Sequence, residues 1–592
     1  MFVRTKTTPN SPRKSIQIVK NDRDKKTGKV KQKILRHVGI AMDDDEEKKL
    51  KKLGEDIIKK MIIEEYNNSP QINMFSAPSM EEINLNKKKI GRKQKKRLED
   101  VLPVNQVTLD DIIEENRIID GVHEVAGYLY DTLKYNSILT KNKKYNNILK
   151  DLVLCRISNP KSKLATSNYL KRYYMKEHDI NSIYRTMDHV FKNISKIKSI
   201  VFQSTRNLMP DDVEIILFDV TTLHFESTEV DELRKFGWSK NFRFNTTQVV
   251  LALATNGDGL PIGYELFEGN KAEVTTLIDT IDTWKESFNI VDVTFIGDRA
   301  MFSANNLYEL DKRNYKYIVA AKLRSLPEVM QNKILNNNEN YKANIVDNVF
   351  SWIGNFQYEE SDLDILRENK AKKKQIKDYK LLIEQNKNRF FVVNYSSKRA
   401  HNDIKKRDKI LEKIEKQLNK TSDSTKLVTN SGIKKYTTSS GKSKSYIDQN
   451  KVDADSQWDG IHGVITNIKS YKLSEIISKY KKLIKIEDCF RVNKTTLKMR
   501  PIFHFKPERI HAHIAICYMA FAVIRQLEYR AKLVKKISVT SIIEELNSVQ
   551  SSIYRHKTTK DRYRVPGNFS NDARKIYSSI GLQRSLDAHP II

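Results

Sequence analysis

Two aspartates stand where apolar runs typical of buried β-strands end. Asp219 follows residues 215–218, and Asp298 follows residues 293–297. An ionised carboxylate beside a central strand is unfavourable unless it is paired or binds a metal ion. Either aspartate alone is also consistent with an ordinary turn residue. Together they indicate a site, because the functional groups of open α/β sheets gather at the carboxyl ends of strands.

A third acid, Glu487, interrupts an apolar stripe on a predicted helix. The stripe positions alternate in spacing between three and four residues: Leu473, Ile476, Tyr480, Leu483, Glu487, Phe490 and Lys494. This spacing predicts one buried helix face, with Glu487 where an apolar residue is expected. Tyr480 and Lys494, seven residues to either side, share that face, whereas Asp488 points away from it. A core ion pair between Glu487 and Lys494 is the alternative interpretation.

The helices and strands that position these acids are predicted from changes in the spacing of apolar residues along the sequence. Helical spacing covers residues 109–206. Five strands follow, at residues 213–218, 246–255, 260–267, 291–296 and 315–322, with helices at 272–288 and 303–313. The order β-β-β-α-β-α-β predicts an α/β, RNase H-like fold with a mixed five-stranded sheet flanked by helices. The first and fourth strands are then parallel neighbours, so Asp219 and Asp298 emerge at the same end of the sheet.

The residues around Glu487 resemble the signature of DDE-type insertion-sequence transposases, Tyr-x2-Arg-x3-Glu-x6-Lys. Tyr480, Glu487 and Lys494 match this signature, and Leu483 stands in place of its Arg. Other segments are similar to the insertion-sequence-four-like group, in the branch with a long insertion before the Glu: Phe218-Asp219-Val220-Thr221-Thr222, Gly237-Trp238-Ser239-Lys240, Gly297-Asp298-Arg299-Ala300-Met301, Ser397-Lys398-Arg399-Ala400, Trp458-Asp459-Gly460, Phe490-Arg491 and Arg500-Pro501-Ile502. The resemblance covers most of the chain.

This resemblance implies the transposase of a bacterial insertion sequence. Such an enzyme binds terminal inverted repeats, pairs two ends, cleaves the DNA to leave 3′-OH groups and joins these to target DNA. The resemblance implies that Asp219, Asp298 and Glu487 are catalytic and hold two Mg²⁺ or Mn²⁺ ions, which agrees with the preference of hard cations for oxygen ligands. The implied partners are double-stranded DNA and a second copy of the chain, in a paired-end homodimer.

The same resemblance suggests which residues contact DNA. Lys494 is expected near the scissile phosphate, as a point charge. Tyr480 is expected to contact DNA or to support Glu487. The further candidate DNA-binding residues are Arg491, Arg299, Trp238 and Lys240. A loop-packing role is the alternative for Trp238.

The composition favours a nucleic-acid partner. The 592 residues include 106 Lys and Arg against 74 Asp and Glu, a net charge of +32, and such an excess favours a polyanion. The longest apolar run, residues 512–524, is shorter than the roughly 20 residues that cross a bilayer. No apolar signal segment begins the sequence. We therefore expect no membrane association and a cytoplasmic, nucleoid-associated location. Three scattered cysteines exclude a disulfide scaffold and a cysteine-rich zinc site.

Six segments are predicted along the chain. They are a basic N-terminal DNA-binding region (1–100), a helical domain (101–210), the first part of the RNase H-like catalytic core (211–323), an insertion domain (324–465), the second part of the core with the Glu487 helix (466–535), and a C-terminal helical region (536–592). The first contains a basic β-hairpin, a helix at 43–66, a loop at 70–80 and basic runs at 87–89 and 92–97. A solvated arm is the alternative interpretation of these runs.

Two other functions stay open at this level. One is a metal-dependent RNase H-like nuclease without strand transfer, and the other is a non-catalytic DNA-binding protein derived from a transposase. The three intact acids argue against the second. ATP binding is excluded because Tyr436 stands where the P-loop requires its first Gly. His504, His511 and His513 lack further zinc ligands, which favours a structural or DNA-facing role.

Overall fold

The computed structural model describes residues 2–7, 13–23, 30–67, 109–140, 142–209, 214–237, 245–271, 276–288, 293–298, 302–336, 342–346, 349–418, 435–440 and 444–591. The chain divides into two compact units. One contains Met1–Leu109 with Asp587–Pro590, and the other contains Asp110–Leu586 with Ile591–Ile592.

The N-terminal unit contains an antiparallel sheet and one helix: β1 (Phe2–Thr7), β2 (Lys14–Arg23), β3 (Val30–Ala41) and α1 (Asp44–Asn67). The central strand β2 pairs with both neighbours, and its Ile16, Ile18 and Val19 are fully buried. The predicted hairpin is therefore present as β2–β3, with β1 added to it. The predicted loop at 70–80 and the basic runs at 87–89 and 92–97 lie outside the described residues.

The second unit begins with a strand rather than a helix. Ile112–Ile119, predicted as helical, is β4, because it pairs with a strand near the C-terminus and this pairing overrides the local apolar spacing. Five predicted helices follow: α2 (Gly121–Thr132), α3 (Lys143–Ser158), α4 (Lys163–Tyr174), α5 (Ile180–Phe191) and α6 (Ile194–Leu208). Asn142, Ser162 and Asp179 cap α3, α4 and α5 by accepting hydrogen bonds from backbone N–H groups.

The predicted β-β-β-α-β-α-β order is observed next. Its elements are β5 (Ile215–His224), β6 (Gln248–Thr255), β7 (Pro261–Glu268), α7 (Thr276–Phe288), β8 (Thr294–Gly297), α8 (Ala304–Lys312) and β9 (Lys316–Ala320). Strand β6 runs antiparallel to β5 and β7, whereas β8 runs parallel to both β5 and β9. The strands of Asp219 and Asp298 are therefore parallel neighbours, as predicted.

The sheet has nine strands, so the predicted count of five is wrong. The chain between β9 and the next core helix contains α9 (Glu328–Asn336), β10 (Lys342–Val346), β11 (Val349–Phe356), α10 (Ser361–Glu368), α11 (Lys373–Gln385), β12 (Phe390–Ser396), α12 (Ser397–Leu418), β13 (Thr437–Ser440), β14 (Lys444–Ile447), α13 (Gln449–Ser456) and β15 (Ile461–Thr466). The strand order is β10-β11-β12-β15-β9-β8-β5-β6-β7. The inserted strands extend the sheet because β15 pairs with the otherwise open edge of β9.

The chain after the insertion returns to helices and ends with strands. It contains α14 (Leu473–Lys481), α15 (Ile484–Arg491), α16 (Pro507–Lys532), α17 (Val539–Ser548), β16 (Gln550–His556), β17 (Arg562–Pro566), α18 (Asn571–Ser579) and β18 (His589–Ile591). The C-terminal region, predicted as helical, is thus mixed, because β16 pairs with both β4 and β17. Helix α16 is long and apolar enough to cross a membrane, but 94% of its most apolar window is buried inside the protein. It is a core helix.

Candidate active site

The alternation of side chains along β5 decides which face of the sheet Asp219 occupies. Ile215, Leu217 and Leu223 pack in the core on the α16 side of the sheet, whereas Ile216 and Phe218 pack in the separate core on the other side. Successive side chains of a strand point to opposite faces, so Asp219 belongs to the first group. Its carboxylate is half-buried and accepts a hydrogen bond from the N–H of Val220 at 2.7 Å.

Asp298 occupies the same face at the same level of the sheet. In the parallel pairing of β5 with β8, Leu217 lies opposite Ile296 and Phe218 opposite Gly297. Asp219 and Asp298 are the next residues on their strands, and neighbouring strands lie roughly 4.8 Å apart. Ile296 packs in the same core as Leu217, so Asp298, two residues on, points to the face of Asp219. The two acids thus lie on neighbouring parallel strands as predicted, but the prediction that Asp219 follows the end of its strand is wrong. Strand β5 continues through Asp219 to His224, because its second half pairs with β6.

The helix of Glu487 covers this face. Ile486, Cys489 and Phe490 of α15 pack in the same core as Leu217 and Ile296. Glu487 itself is exposed, so the prediction of a buried Glu on one continuous helix is wrong. The physical reason is local: the helix breaks between α14 and α15, and a π-helical turn, Val492–Thr496, follows α15.

The neighbouring acid, Asp488, has a different role. One of its oxygens accepts a hydrogen bond from the buried Arg525 at 2.7 Å, and the other pairs with Arg491. Burial alone would raise the pKa of Asp488. The hydrogen bonds and charges of Arg491 and Arg525 outweigh this effect and hold the pKa of Asp488 below its usual value. Among the described residues, Glu487 makes no comparable ion pair. Asp488 therefore anchors α15, and Glu487 is the acid that stays available to a ligand.

Lys494 links the Glu487 segment to the strand of Asp219. Its ammonium donates a hydrogen bond to the hydroxyl of Thr221 and lies 5.3 Å from the ring centre of Phe490. Thr221 is two residues beyond Asp219 on β5, so it points to the same face. Lys494 thus lies beside the aspartates rather than in an ion pair with Glu487 inside the core, the alternative that the sequence left open.

The pKa of Tyr480 is affected by two of the acids. Burial raises the pKa of its hydroxyl to about 12, and the negative charges of Asp298 and Glu487 add to the rise. Both carboxylates therefore lie within electrostatic range of one phenol. The Tyr480 ring packs against the His462 imidazole, with 5.2 Å between ring centres. Burial, helped by the charges of Arg399 and Lys481, lowers the pKa of His462 to about 4, so this imidazole is neutral.

A cavity of about 720 Å³ opens beside Asp298 and Tyr480, and the insertion supplies most of its wall. Arg407 forms a two-bond pair with Asp459, at 2.6 and 2.5 Å, which fixes one side of the wall. Arg399 and Lys406 line the same cavity. In the sequence, Arg399 stands out only as part of a segment that resembles the transposases. Lys406 could not be predicted, because one Lys in a lysine-rich helix carries no signal.

The donor set fits a hard divalent cation, although the three acids are not gathered around one point. Across the described ranges, no three His, Cys, Asp or Glu side chains lie close enough together to enclose a metal ion. Asp219 and Asp298, which follow paired residues of neighbouring strands, nevertheless offer carboxylate oxygens, the ligands that Mg²⁺ and Mn²⁺ prefer. These two aspartates would hold the ion, with Glu487 on the helix that covers them as the third ligand.

Of the remaining predicted DNA-binding residues, only Arg491 can be located. Its side chain is 65% exposed and pairs with Asp488. Arg299, Trp238 and Lys240 lie outside the described residues. Their roles stay predictions.

Comparison with known proteins gives a family match over this site. Residues 211–523, more than half of the chain, match the family described as the transposase DDE domain. No curated protein matches the sequence. The solved structures to which the chain is similar include two transposase complexes. The cryo-EM structure of the piggyBac transposase synaptic complex with hairpin DNA has 8% identity and a TM-score of 0.35, covering 72% of this chain and 77% of that chain. The Mos1 transposase paired-end complex with the left transposon end has 10% identity and a TM-score of 0.14, covering 29% and 57%.

Proposed function

The chain belongs to the family of DDE transposases, and we propose that it is the transposase of a bacterial insertion sequence. In this proposal it binds terminal inverted repeats and catalyses metal-dependent DNA cleavage and strand transfer. One observation carries the proposal: the parallel register of β5 and β8 sets Asp219 and Asp298 side by side, under the helix of Glu487. All three acids lie inside the segment that matches the family.

Asp219, Asp298 and Glu487 are the proposed catalytic residues and the ligands of two Mg²⁺ or Mn²⁺ ions. Such ions, when bound, activate the attacking oxygen and stabilise the leaving oxygen of a phosphodiester. The chain's own contribution is positioning. The strand register holds the two aspartates, and the pairing of Asp488 with Arg525 holds the helix on which Glu487 is exposed.

The cations around the acids are the proposed contacts of the scissile strand. Lys494, oriented by Thr221, places positive charge where the phosphate becomes more negative during the reaction. Arg399 and Lys406 line the cavity beside Asp298 and are suited to hold the strand that leads into the site. Tyr480, within electrostatic range of Asp298 and Glu487, is proposed to support the helix and to offer its hydroxyl to the DNA.

The remaining assignments follow from charge and from the family. We propose that residues 211–323 and 466–535 form an RNase H-like catalytic core interrupted by an insertion domain at 324–465, and that the basic N-terminal region provides affinity for the ends. The net charge of +32 suits a protein that holds two DNA ends in a homodimeric paired-end complex. A cytoplasmic, nucleoid-associated location is part of this proposal.

The test uses the full chain and a linear duplex taken from the DNA that flanks its coding sequence. Asp219→Asn and Asp298→Asn should each abolish Mg²⁺-dependent nicking while the protein still folds and binds the duplex. Asp364→Asn is the matched control, because this carboxylate is 67% exposed and pairs only with Arg367 among the contacts described. It should nick at the wild-type rate.

Three outcomes separate the candidate functions. Nicking followed by joining of the 3′ ends to a second duplex supports the transposase, whereas nicking without joining supports a nuclease. Binding without nicking in Mg²⁺ or Mn²⁺ supports a non-catalytic DNA-binding protein. An Asp298→Asn variant that nicks at the wild-type rate overturns the assignment of the acids.

A further inference from the structure

A second cavity, of about 370 Å³, lies where the helical region meets the segment that follows Lys494. Five cationic side chains line it, and no Asp or Glu does: Arg156, Lys161, Lys163, Lys498 and Arg500. Arg156 is 5% exposed and Lys163 is 4% exposed. Within the part of the chain that the structure describes, none of the five forms an ion pair.

Among the contacts described, the hydrogen-bond partners of the two buried cations are neutral. The Arg156 guanidinium donates to the backbone carbonyls of Lys498 and Lys161, at 3.4 and 3.2 Å. The Lys163 ammonium lies 3.4 Å from Nδ1 of His513, and Nε2 of the same ring lies 3.1 Å from the carbonyl of Met499. The ring that donates from Nε2 to this carbonyl accepts from Lys163 at Nδ1, so it is neutral.

The local charge balance is therefore strongly positive. Burial, with the charge of Arg156, lowers the pKa of Lys163 to about 7, and burial beside these cations lowers the pKa of His504 to about 3. Buried charges are normally paired or bound to a ligand, because an uncompensated one is costly. The first turn of the 12-residue helix α4 also borders the cavity through Ser162 and Ala165, and a helix N-terminus favours anions.

We propose that this cavity binds a phosphate group of the DNA backbone. The inference rests on the proposed function for its source of phosphate, and an exposed aromatic ring favours DNA over a free anion. Phe503 lines the cavity with 56% of its surface exposed, and exposed rings stack on bases. Arg156 and Lys163 supply donors from two helices, which suits a phosphate with oxygens on more than one side.

The position of the cavity suits the same DNA molecule as the acids. Ile502 forms a bridge with Phe225, just beyond the end of β5, and the neighbouring Arg500 and Phe503 line the cavity. Phe225 is six residues beyond Asp219, which is about 20 Å of extended strand. This distance corresponds to about six base-pair steps of a duplex. A strand cut at the aspartates thus has a second phosphate within reach of the cavity.

Lys163→Met is the decisive variant, because it keeps the length of the side chain and removes its charge. Lys171→Met is the matched control: it removes a cation from the same helix, two turns away, where the side chain is 68% exposed. The affinity of each full-length variant for the flanking duplex is measured between 50 and 200 mM salt, conditions over which phosphate contacts weaken by roughly 0.9 log units per log unit of salt. Urea unfolding and a titration with inorganic phosphate are measured in parallel.

The expected result is that Lys163→Met binds the duplex about tenfold more weakly, as loss of a charged hydrogen bond predicts, with a shallower salt dependence and a higher resistance to urea. Lys171→Met should bind nearly as the wild type does. Unchanged affinity, or lower resistance to urea, overturns the inference and makes Lys163 a structural residue. Stabilisation of the wild type by phosphate, with unchanged DNA affinity of Lys163→Met, assigns the cavity to a free anion and also overturns it. If the wild type binds no duplex at all, the proposed function itself fails.

Discussion

The ammonium of Lys494 donates a hydrogen bond to the hydroxyl of Thr221, two residues beyond Asp219 on the same strand. This contact joins the segment of Glu487 to the strand of the first aspartate across the face where all three acids lie. It also means that the Lys494 charge is held beside the carboxylates before any DNA arrives. A cation that is already oriented loses little freedom when the substrate binds.

Lys494→Ala should therefore slow cleavage much more than it weakens DNA binding. Loss of one oriented charge at the reacting phosphate costs on the order of 10²-fold in rate, whereas one cation among 106 contributes little to bulk attraction. Single-turnover nicking and a binding titration measure the two effects. Lys482→Ala is the control, because Lys482 is an exposed lysine in the break between α14 and α15. Equal rate losses in both variants would contradict a specific role.

Glu487→Gln and Asp488→Asn should have opposite effects on cleavage and on stability. Glu487 is exposed and Asp488 pairs with Arg525, so we expect Glu487→Gln to lose cleavage and keep its stability. Asp488→Asn should keep cleavage and lose about 1–2 kcal/mol of unfolding free energy, because the buried Arg525 loses a charged partner. Nicking assays and urea unfolding of the same preparations measure both. The assignment of the catalytic acid would be wrong if the two phenotypes were exchanged.

Leu483→Arg restores the residue of the resembling signature, and it should destabilise the protein. Leu483 is half-buried and packs against the main core. Its replacement removes apolar burial, while a long Arg can still reach water, so the expected loss is about 1–2 kcal/mol. Thermal unfolding and DNA titration distinguish this from the alternative. Unchanged stability together with tighter binding would mean that position 483 faces DNA.

Removal of residues 1–97 should sharply weaken binding to the flanking duplex, because residues 1–40 alone carry twelve Lys or Arg against two Asp. A truncated chain can also lose affinity by misfolding. The double substitution Lys33→Gln and Arg36→Gln on the exposed side of β3 therefore serves as a milder version with the unit intact. The double substitution should reduce the slope of log K against the logarithm of the salt concentration by up to roughly 1.8. Wild-type affinity in both variants would make this region a solvated surface.

The stability gained by Lys163→Met should depend on pH. The pKa of Lys163 is lowered from 10.5 to about 7 by burial and by Arg156. Below pH 7 Lys163 is protonated in both the folded and the unfolded state, so the folded wild type carries the buried charge. The stability advantage of Lys163→Met over the wild type is therefore largest there. Between pH 7 and 10.5 only the unfolded state keeps the proton, so wild-type stability rises with pH, by at most about 1.4 kcal/mol per unit.

The difference in urea midpoint between Lys163→Met and the wild type, measured from pH 6 to 9, checks this. The two proteins share the other titratable groups around the cavity, His504, His513, Cys155 and Cys517, so these largely cancel in the difference. The difference should shrink as the pH rises above 7. A constant difference would mean that Lys163 keeps an ordinary pKa.

The central strands and the pair of aspartates could be predicted from sequence because each depends on local signals. An apolar run of four to six residues that ends in Asp identifies each strand, although it marks the carboxyl end of β8 only, since β5 continues past Asp219 to His224. The turn at Asn256 to Gly259 identifies the hairpin that makes the sheet mixed. Strand order then follows from the few ways in which such a chain connects its strands.

Features that depend on distant contacts could not be predicted in this way. Residues 112–119 have apolar spacing that suits a helix, yet they are a strand because their partner lies more than 430 residues later in the chain. The break between α14 and α15 and the π-helical turn that contains Lys494 do not follow from a regular apolar period, so the exposure of Glu487 could not be predicted. The burial of Arg156 and Lys163 was missed because cations so frequent in this sequence indicate nothing individually.

The pairing of β15 with β9 also determines when the sheet can be completed during translation. Val319 of β9 lies opposite Ile465 of β15, so 146 residues must be translated after the first strand before its partner exists. At about 5–20 residues per second this takes roughly 7–30 s. During that interval the nascent chain carries an open strand edge beside the strand that precedes Asp298, and the acids cannot acquire their final surroundings until the insertion has emerged from the ribosome. A chain truncated before residue 461 would thus lack both the strand that covers this edge and the helix of Glu487.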